Sequence, residues 1–523
     1  MKNNMILCIL LLVTMVVSFV CTGYSQELAK ELIIAVGDEI EGTDTQTIGR
    51  TNMVHVLIYA KLIDLTRDGE GYVPQACKSF EVSDDGLTWT FECPEGAKFP
   101  SGNPFNAETV KASFERYLKV GMEPETLVNI KEFKVIDERT LVMELSQPDP
   151  VLFLVLSEEQ AGIIDAKVAK EIGDDAFKAK AVTYGPCYVE EWVLGSDLIL
   201  KPNLTYKDYG PEIENKGPLQ FEKVIARFIP DSFTRISELE HGNVDIVPNI
   251  PLDSIELLRA NPDIKLYEAM QAGASLIYIN TNDPILSDIR LRQAITLGID
   301  RDEIALALDG FVVPTFTYMS PSVASYSPEK EQEIAIKWAT NKEKATDLLK
   351  EAGWIDKDGD GIRDKDGEKL TLEMLTAMDV SPIKLAAPVI QKQLKEIGID
   401  LQIRELEHAY VKSNAREGKF QLATRKVGWA DPMHAFSFST NSGYYANEEL
   451  DKLIDDAMYI SNLDKRMKSF ELVTDAMYEQ IPAVSLFYEK LFTASRAEIE
   501  GFWVDVRGNG RFMDVKKYIK QID

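Results

Sequence analysis

Short apolar runs and amphipathic segments alternate along the whole chain. Leu32-Ile33-Ile34-Ala35-Val36 is a continuous apolar run of the kind that enters a sheet buried on both faces. Thr88-Trp89-Thr90-Phe91 alternates instead, and Asp84-Asp85-Gly86 before it supplies a hairpin turn. Asn106 can cap a helix begun by Ala107-Glu108, on which Val110, Phe114 and Tyr117 fall on one face. Val224 to Ile229 predicts a strand, Asp231-Ser232 caps a helix running through Glu240, Gly242 stops it, and Val244-Asp245-Ile246-Val247 is the next strand. These are βαβ-like units. Their recurrence, with no short repeat and no low-complexity tract, predicts an α/β fold.

The first 25 residues depart from this pattern. Lys2 is their only charged side chain, Met5 to Val20 is apolar, and Cys21-Thr22-Gly23-Tyr24-Ser25 is small and polar, which predicts a secretion signal over 1–25. Two readings of its end stand: a lipid-bearing Cys21, or cleavage after Ser25. No other stretch approaches the roughly 20 apolar residues needed to span a bilayer. At 523 residues the chain exceeds one ordinary core, so two or three lobes are expected, and 45% hydrophobic with 27% charged residues is globular usage. A net charge of -28 argues against nucleic acid or anionic lipid as a partner and allows a cationic ligand. Beyond the leader the cysteines are Cys77, Cys93 and Cys187, an odd set that leaves room for one bridge, Cys77 to Cys93.

A specific order of motifs follows. Trp89-Thr90-Phe91 leads to Glu95-Gly96-Ala97-Lys98-Phe99 and to Gly102-Asn103-Pro104-Phe105-Asn106-Ala107-Glu108-Thr109-Val110. Tyr184-Gly185-Pro186 precedes Glu191-Trp192, and Asp288-Ile289-Arg290-Leu291-Arg292-Gln293-Ala294 precedes Gly298-Ile299-Asp300-Arg301. Leu348-Leu349-Lys350-Glu351-Ala352-Gly353-Trp354, Tyr445 to Ile454 and Pro482-Ala483-Val484-Ser485-Leu486 complete the series. Taken in order, the chain resembles the dipeptide-, oligopeptide- and nickel-binding receptors of ABC importers over nearly all of its exported length. The resemblance implies a two-lobed periplasmic-binding-protein-like fold with mixed sheets and a hinge. Lobe I is expected at 26–272 with a return segment at 481–523, and lobe II at 273–480. It also implies a monomeric binding protein, not an enzyme, exported to the periplasm or cell surface and working with ABC permease subunits and separate ATPase subunits. The aromatics Trp89, Phe91, Phe99 and Phe105 are expected in the core.

The same resemblance points to Gly428-Trp429-Ala430-Asp431-Pro432-Met433-His434-Ala435-Phe436 as the stretch that meets the ligand. In peptide receptors Trp429 and Asp431 would contact it, the carboxylate pairing with an α-ammonium that is costly to bury alone. In nickel receptors a histidine here meets the metal chelate, a role open to His434. Peptide is the first reading and a nickel chelate the second; a secreted sensor or chaperone on the same fold is the alternative of another class.

A second constellation is Asp356, Asp358, Asp360 and Asp364, at positions one, three, five and nine of a calcium loop with Gly361 at six. Gly367 stands where a bidentate Glu belongs, so the competing reading is an acidic hairpin turn between the helix end at Gly353-Trp354 and a strand Leu370 to Leu375. No resident cofactor is required. No G-x-S-x-G or H-E-x-x-H occurs, and Gly418-Lys419 is followed by Phe420 rather than by the hydroxyl residue of a phosphate loop.

Overall fold

The apolar run at Leu32 is a strand because both of its edges are paired and both faces covered: Leu32, Ile34 and Ala35 are wholly buried. The computed structural model describes residues 28–519 apart from 70, 322–325, 379–381, 427–443, 446 and 461. Within it one continuous sheet is built from twelve strands. In chain order these are β1 (Glu31–Val36), β2 (Cys187–Val193), β3 (Asp197–Pro202), β4 (Lys223–Phe228), β5 (Ile246–Val247) and β6 (Ile264–Met270), then β7 (Ser275–Ile279), β8 (Val312–Pro314), β9 (Thr371–Ala377), β10 (Asp400–Leu406), β11 (Leu422–Lys426) and β12 (Ala483–Arg496). Across the sheet they lie β10-β9-β11-β7-β12-β5-β1-β4-β3-β2, with β6 and β8 also paired to β12. β1 runs parallel to β4 and β5, while β12 is antiparallel to all of its neighbours, so the sheet is mixed.

The 14-residue β12 decides the architecture. Its first part pairs with β7 (Leu276↔Ser485, Tyr278↔Ala483) and with β8 (Val312↔Glu489). Its second part pairs with β6 from Met270↔Lys490 to Ile264↔Arg496. Two large cores flank this handover, and a smaller third, with Ile236, Leu239, Phe311 and Phe492, lies against its second part. One gathers Leu276, Leu291, Ile295, Leu372, Ile390, Leu422 and Leu486. The other gathers Leu32, Trp89, Phe105, Tyr184 and Leu200 with Phe502, Phe512 and Val515 of the C-terminal return segment. The protein is therefore two-lobed.

Local chemistry explains the elements around this frame. Asn106 accepts from Thr109 N at 3.1 Å while Thr109 Oγ1 accepts from Asn106 N at 2.9 Å, a reciprocal cap for the helix Ala107–Val120. Val110, Phe114 and Tyr117 on that helix are buried. Gly86 takes φ 71° in the turn between Ser79–Val82 and Thr88–Glu92, inside a four-stranded antiparallel sheet. Trp89, Phe91, Phe99 and Phe105 are core residues, and Phe105 stacks on Tyr184 at 3.9 Å between centroids. Gly185 lets the chain after Tyr184 lie against the Ile58-Tyr59 backbone, since a Cβ there would sit 2.3 Å from the Ile58 carbonyl oxygen.

Two expectations change. The strand predicted over Val244 to Val247 is shortened to Ile246–Val247: Asp245 N still donates to the Ile33 carbonyl at 2.8 Å and its carbonyl accepts from Arg496 N at 3.0 Å, but Val244 N turns back to the Glu238 carbonyl at 3.3 Å. Cys77, Cys93 and Cys187 are buried free thiols. Cys77 donates to the Leu62 carbonyl, and burial pushes the Cys93 thiol up to about 12, which leaves almost no thiolate for exchange.

The return segment is clamped to lobe I by buried charge. Arg511 donates to Asp64 and, at 2.8 Å, to Asp505; Lys61 reaches Glu159 at 3.1 Å; Arg507 meets Glu158 at 2.5 Å. Burial alone would raise the Asp64 carboxyl, but Arg511, Lys61 and Arg507 outweigh it and hold it at about 2. An aspartate depressed in this way contributes stability above its unfolded value of about 3.9 and loses it as pH falls through the folded value. The unfolding free energy of wild type relative to Asp64→Asn is predicted to shrink by roughly 2 to 3 kcal/mol between pH 5 and pH 2. Urea unfolding across that range checks this; a pH-independent difference would place the stabilisation elsewhere.

Candidate functional site

Trp429, Asp431 and His434 fall within 427–443, outside the described residues. The strand that leads to them is described, and it ends at the hinge. β11 finishes at Lys426, whose register partner is Ser275, the first residue of β7, and Ser275 in turn faces Phe487 of β12. Two residues along β12, the buried Glu489 carboxylate accepts from Ser275 Oγ at 2.9 Å and from Lys426 Nζ at 2.5 Å. Gln271 N, in the crossing between β6 and β7, donates to the Glu489 carbonyl at 2.9 Å. One carboxylate thus ties the hinge ends of three strands.

Strand alternation orients this cluster. Glu489 and Leu491 share a face of β12, and Gly508 of the return segment packs over Leu491 so closely that a Cβ would lie 3.0 Å from Leu491 Cδ1. The Glu489 face is therefore the one that lobe I approaches, bringing Arg507 and its partner Glu158. Phe492 points the other way and meets Phe311 edge-on at 5.9 Å. Each ion pair has one buried and one partly exposed partner: side-chain exposure is 8% for Glu489 against 35% for Lys426, and 8% for Arg507 against 34% for Glu158. The side-chain oxygens of Gln160 and Gln271 are buried without a partner among the described residues. Lys426 and Glu489 thus set a charge of each sign at the hinge end of β11. Lys426, Glu489, Ser275 and Gln271 were not singled out from the sequence, where the only signal is the polar Glu489-Lys490 that ends the run Val484 to Tyr488.

The acidic loop is assembled in part. Asp356, Asp358 and Asp360 are exposed, with ligand oxygens within 4.8 Å of one another. Asp364 stands apart, buried in the hairpin of Asp364–Lys365 and Glu368–Lys369, where its carboxylate accepts from Lys357 N at 3.2 Å. Lys369 donates to Asp358 at 2.8 Å and to Asp360 at 3.0 Å, and its hydrogen bond holds the Asp358 carboxyl below the usual range. Asp356 accepts from Gly359 N and Gly361 N at 2.8 and 3.0 Å, both glycines having positive φ. The geometry is that of a hairpin turn carrying its own cation, and calcium would have to displace Lys369.

Comparison with known proteins now becomes informative. Residues 71–448 match the family described as bacterial extracellular solute-binding proteins, family 5 Middle. The chain is similar to the probable D,D-dipeptide-binding periplasmic protein DdpA of Escherichia coli K12, 26% identical over 467 residues that cover 85% of each chain. It is also similar to the glutathione-binding protein GsiB of Salmonella typhi, 25% identical over 515 residues, 91% of this chain and 92% of that one. Among solved structures, NikA from Brucella suis in complex with Fe(III)-EDTA superposes with a TM-score of 0.79 at 22% identity, covering 93% of this chain and 99% of that one. No helix among the described residues is long and apolar enough to cross a membrane.

Two predictions belong to these geometries. If Lys369 holds the acidic turn, millimolar calcium should raise the melting temperature of Lys369→Met by more than that of wild type; equal shifts in a thermal scan would refute the competition. If Glu489 ties the hinge ends, a double-mutant cycle with Lys426→Met and Glu489→Leu should give a coupling of about 1 to 3 kcal/mol in urea unfolding. Additive losses would show that the pair stabilises nothing.

Proposed function

Because the chain belongs to the bacterial extracellular solute-binding proteins of family 5, we propose that it captures small peptides between its lobes and delivers them to the permease of an ABC importer. The observation that carries this reading is the shared strand β12. Its ladder changes partners at 488–490, directly beside the crossing at 271–274, so the lobes can close by small dihedral changes there while the pairing on either side stays intact. Closure of that kind buries a ligand and slows its release. The role is binding, not catalysis.

Peptide takes first place because DdpA and GsiB are named for a dipeptide and for glutathione, itself a tripeptide. The likeness to NikA supports the fold alone. Within this reading Asp431 neutralises the ligand ammonium, Trp429 packs on the ligand, and both follow directly on the strand end fixed by Lys426 and Glu489. The nickel-chelate reading keeps one specific residue, His434, whose neutral imidazole is a donor suited to nickel. Export would bring the chain to the outer face of the membrane, tethered by Cys21 or freed after Ser25.

Calorimetry of two variants separates the ligand classes. With di- and tripeptides, Asp431→Asn is predicted to cost several kcal/mol, since the ammonium is left with a weaker buried partner, and His434→Ala to change little. With nickel and small carboxylate chelators the order reverses, and wild-type binding should weaken below about pH 6.5 as the imidazole protonates. Unchanged affinity of both variants for both ligand classes would place the site elsewhere in the cleft.

A further inference from the structure

Lobe I carries a basic surface that ligand capture does not use. Two adjoining grooves meet at Leu204-Thr205: one is lined by Lys98, Tyr188, Lys201 and Glu222, the other by Lys207 and Lys216. The charged lining of the two is therefore four lysines and one glutamate, in a chain whose net charge is -28. Lys201 is paired with Glu190, and Glu222 with Lys30. Among the described residues no carboxylate pairs with Lys98, Lys207 or Lys216, all of them exposed. At the junction Leu204 is 81% exposed, a large apolar side chain at the crest of a basic surface.

The groove also lies where the chain enters lobe I. Glu222 N donates to the Lys30 carbonyl at 2.7 Å and their side chains pair at 2.8 Å, so Lys30 stands at the rim, while Ala29 and Leu28 before it pair with Lys517 and Tyr518. Cys21 precedes Lys30 by only nine residues, a reach of at most about 32 Å when fully extended.

We propose that this face of lobe I rests on the outer membrane-facing layer of anionic lipid headgroups, with Lys98, Lys207 and Lys216 at the phosphates and Leu204 in the interfacial zone. The proposal rests on the export reading but not on the identity of the transported ligand. Net charge does not forbid it: screening confines each charge to about 8 to 10 Å at physiological salt, so a headgroup at the groove responds to the lysines around it and hardly to acids on distant faces. A lipid surface fits better than an acidic protein segment because the apolar element is one protruding side chain, suited to shallow insertion.

The test uses the chain from Gln26 onward, since the described fold begins at Leu28. Co-sedimentation is measured with vesicles of equal phosphatidylglycerol and phosphatidylcholine and with phosphatidylcholine alone. At 50 mM salt the anionic vesicles should bind about tenfold more protein, and 0.5 M salt should abolish the difference. The triple variant K98E/K207E/K216E should fall to the phosphatidylcholine level, and Leu204→Ser should weaken binding severalfold, with melting temperature and peptide affinity as in wild type. Equal sedimentation of wild type and the triple variant overturns the proposal. So does a triple variant that keeps its vesicle binding but loses retention on the permease, an outcome that assigns the groove to an acidic protein partner. Wild type that binds no peptide yet sediments with anionic vesicles would sink the peptide reading and leave this one standing.

Discussion

A strand can be hydrogen-bonded in two lobes only if its neighbours change along its length, and most of this molecule is arranged around that condition in β12. Its first half belongs to the ladder of β7 and β8, its second to β5 and β6. Each half is pinned by backbone bonds that cost too much to break during a functional cycle. Motion is thereby directed to the few residues of the handover, and those residues are polar. Glu489, Gln271, Ser275 and Lys426 can exchange partners among themselves and with solvent, whereas an apolar plug would have to be pulled out of its packing at each opening. β11 ends at the same place, with Lys426 held by Glu489.

The return segment meets a different demand. It re-enters lobe I after β12 and has to keep that lobe rigid while the hinge bends. Apolar packing of Phe502, Phe512 and Val515 supplies the area, and Arg507 and Arg511, held by Asp64, Asp505 and Glu158, fix the register. Buried pairs of this kind add little over apolar contacts of equal volume, but breaking one partner is costly, so they disfavour any slipped arrangement. The chain's 57 basic residues are outnumbered by 85 acidic ones but unevenly placed: some are buried here, Lys426 stands at the hinge, and a cluster lies around Leu204. Whole-chain charge predicted repulsion from anionic surfaces, yet at screened distances the distribution decides, and the distribution is uneven.

How much of this was legible in the sequence depends on how local each cause is. The caps at Asn106 and Asp231, the turn at Gly86 and the apolar run of β1 act within a few residues and could be read directly. Motif order was enough for the lobed architecture. The dual pairing of β12 could not be read, because Ala483 to Tyr488 is simply an apolar run and nothing in it names its neighbours. The same holds for Glu489, whose partners are 63 and 214 residues away in the chain. In the acidic loop the spacing rule found three carboxylates that do converge. It misplaced Asp364, whose burial is set by the hairpin it opens, and it could not see that Lys369 would close over the others.

One unpartnered acceptor at the hinge ties energetics to function. A buried amide oxygen with no donor costs on the order of 1 to 3 kcal/mol, and Gln271, in the crossing between β6 and β7, holds one among the described residues. A hinge position that lets water reach this oxygen relieves the cost, and one that excludes water without supplying a donor keeps it. A ligand bearing N–H donors that reached it would favour the state in which it does so, by that difference and by no more. A purely apolar ligand offers no such relief, so a polar hinge works against closing on the wrong occupant as well as for closing on the right one. Peptides, with a donor at nearly every residue and charge at both ends, are the ligand class for which that selection is strongest.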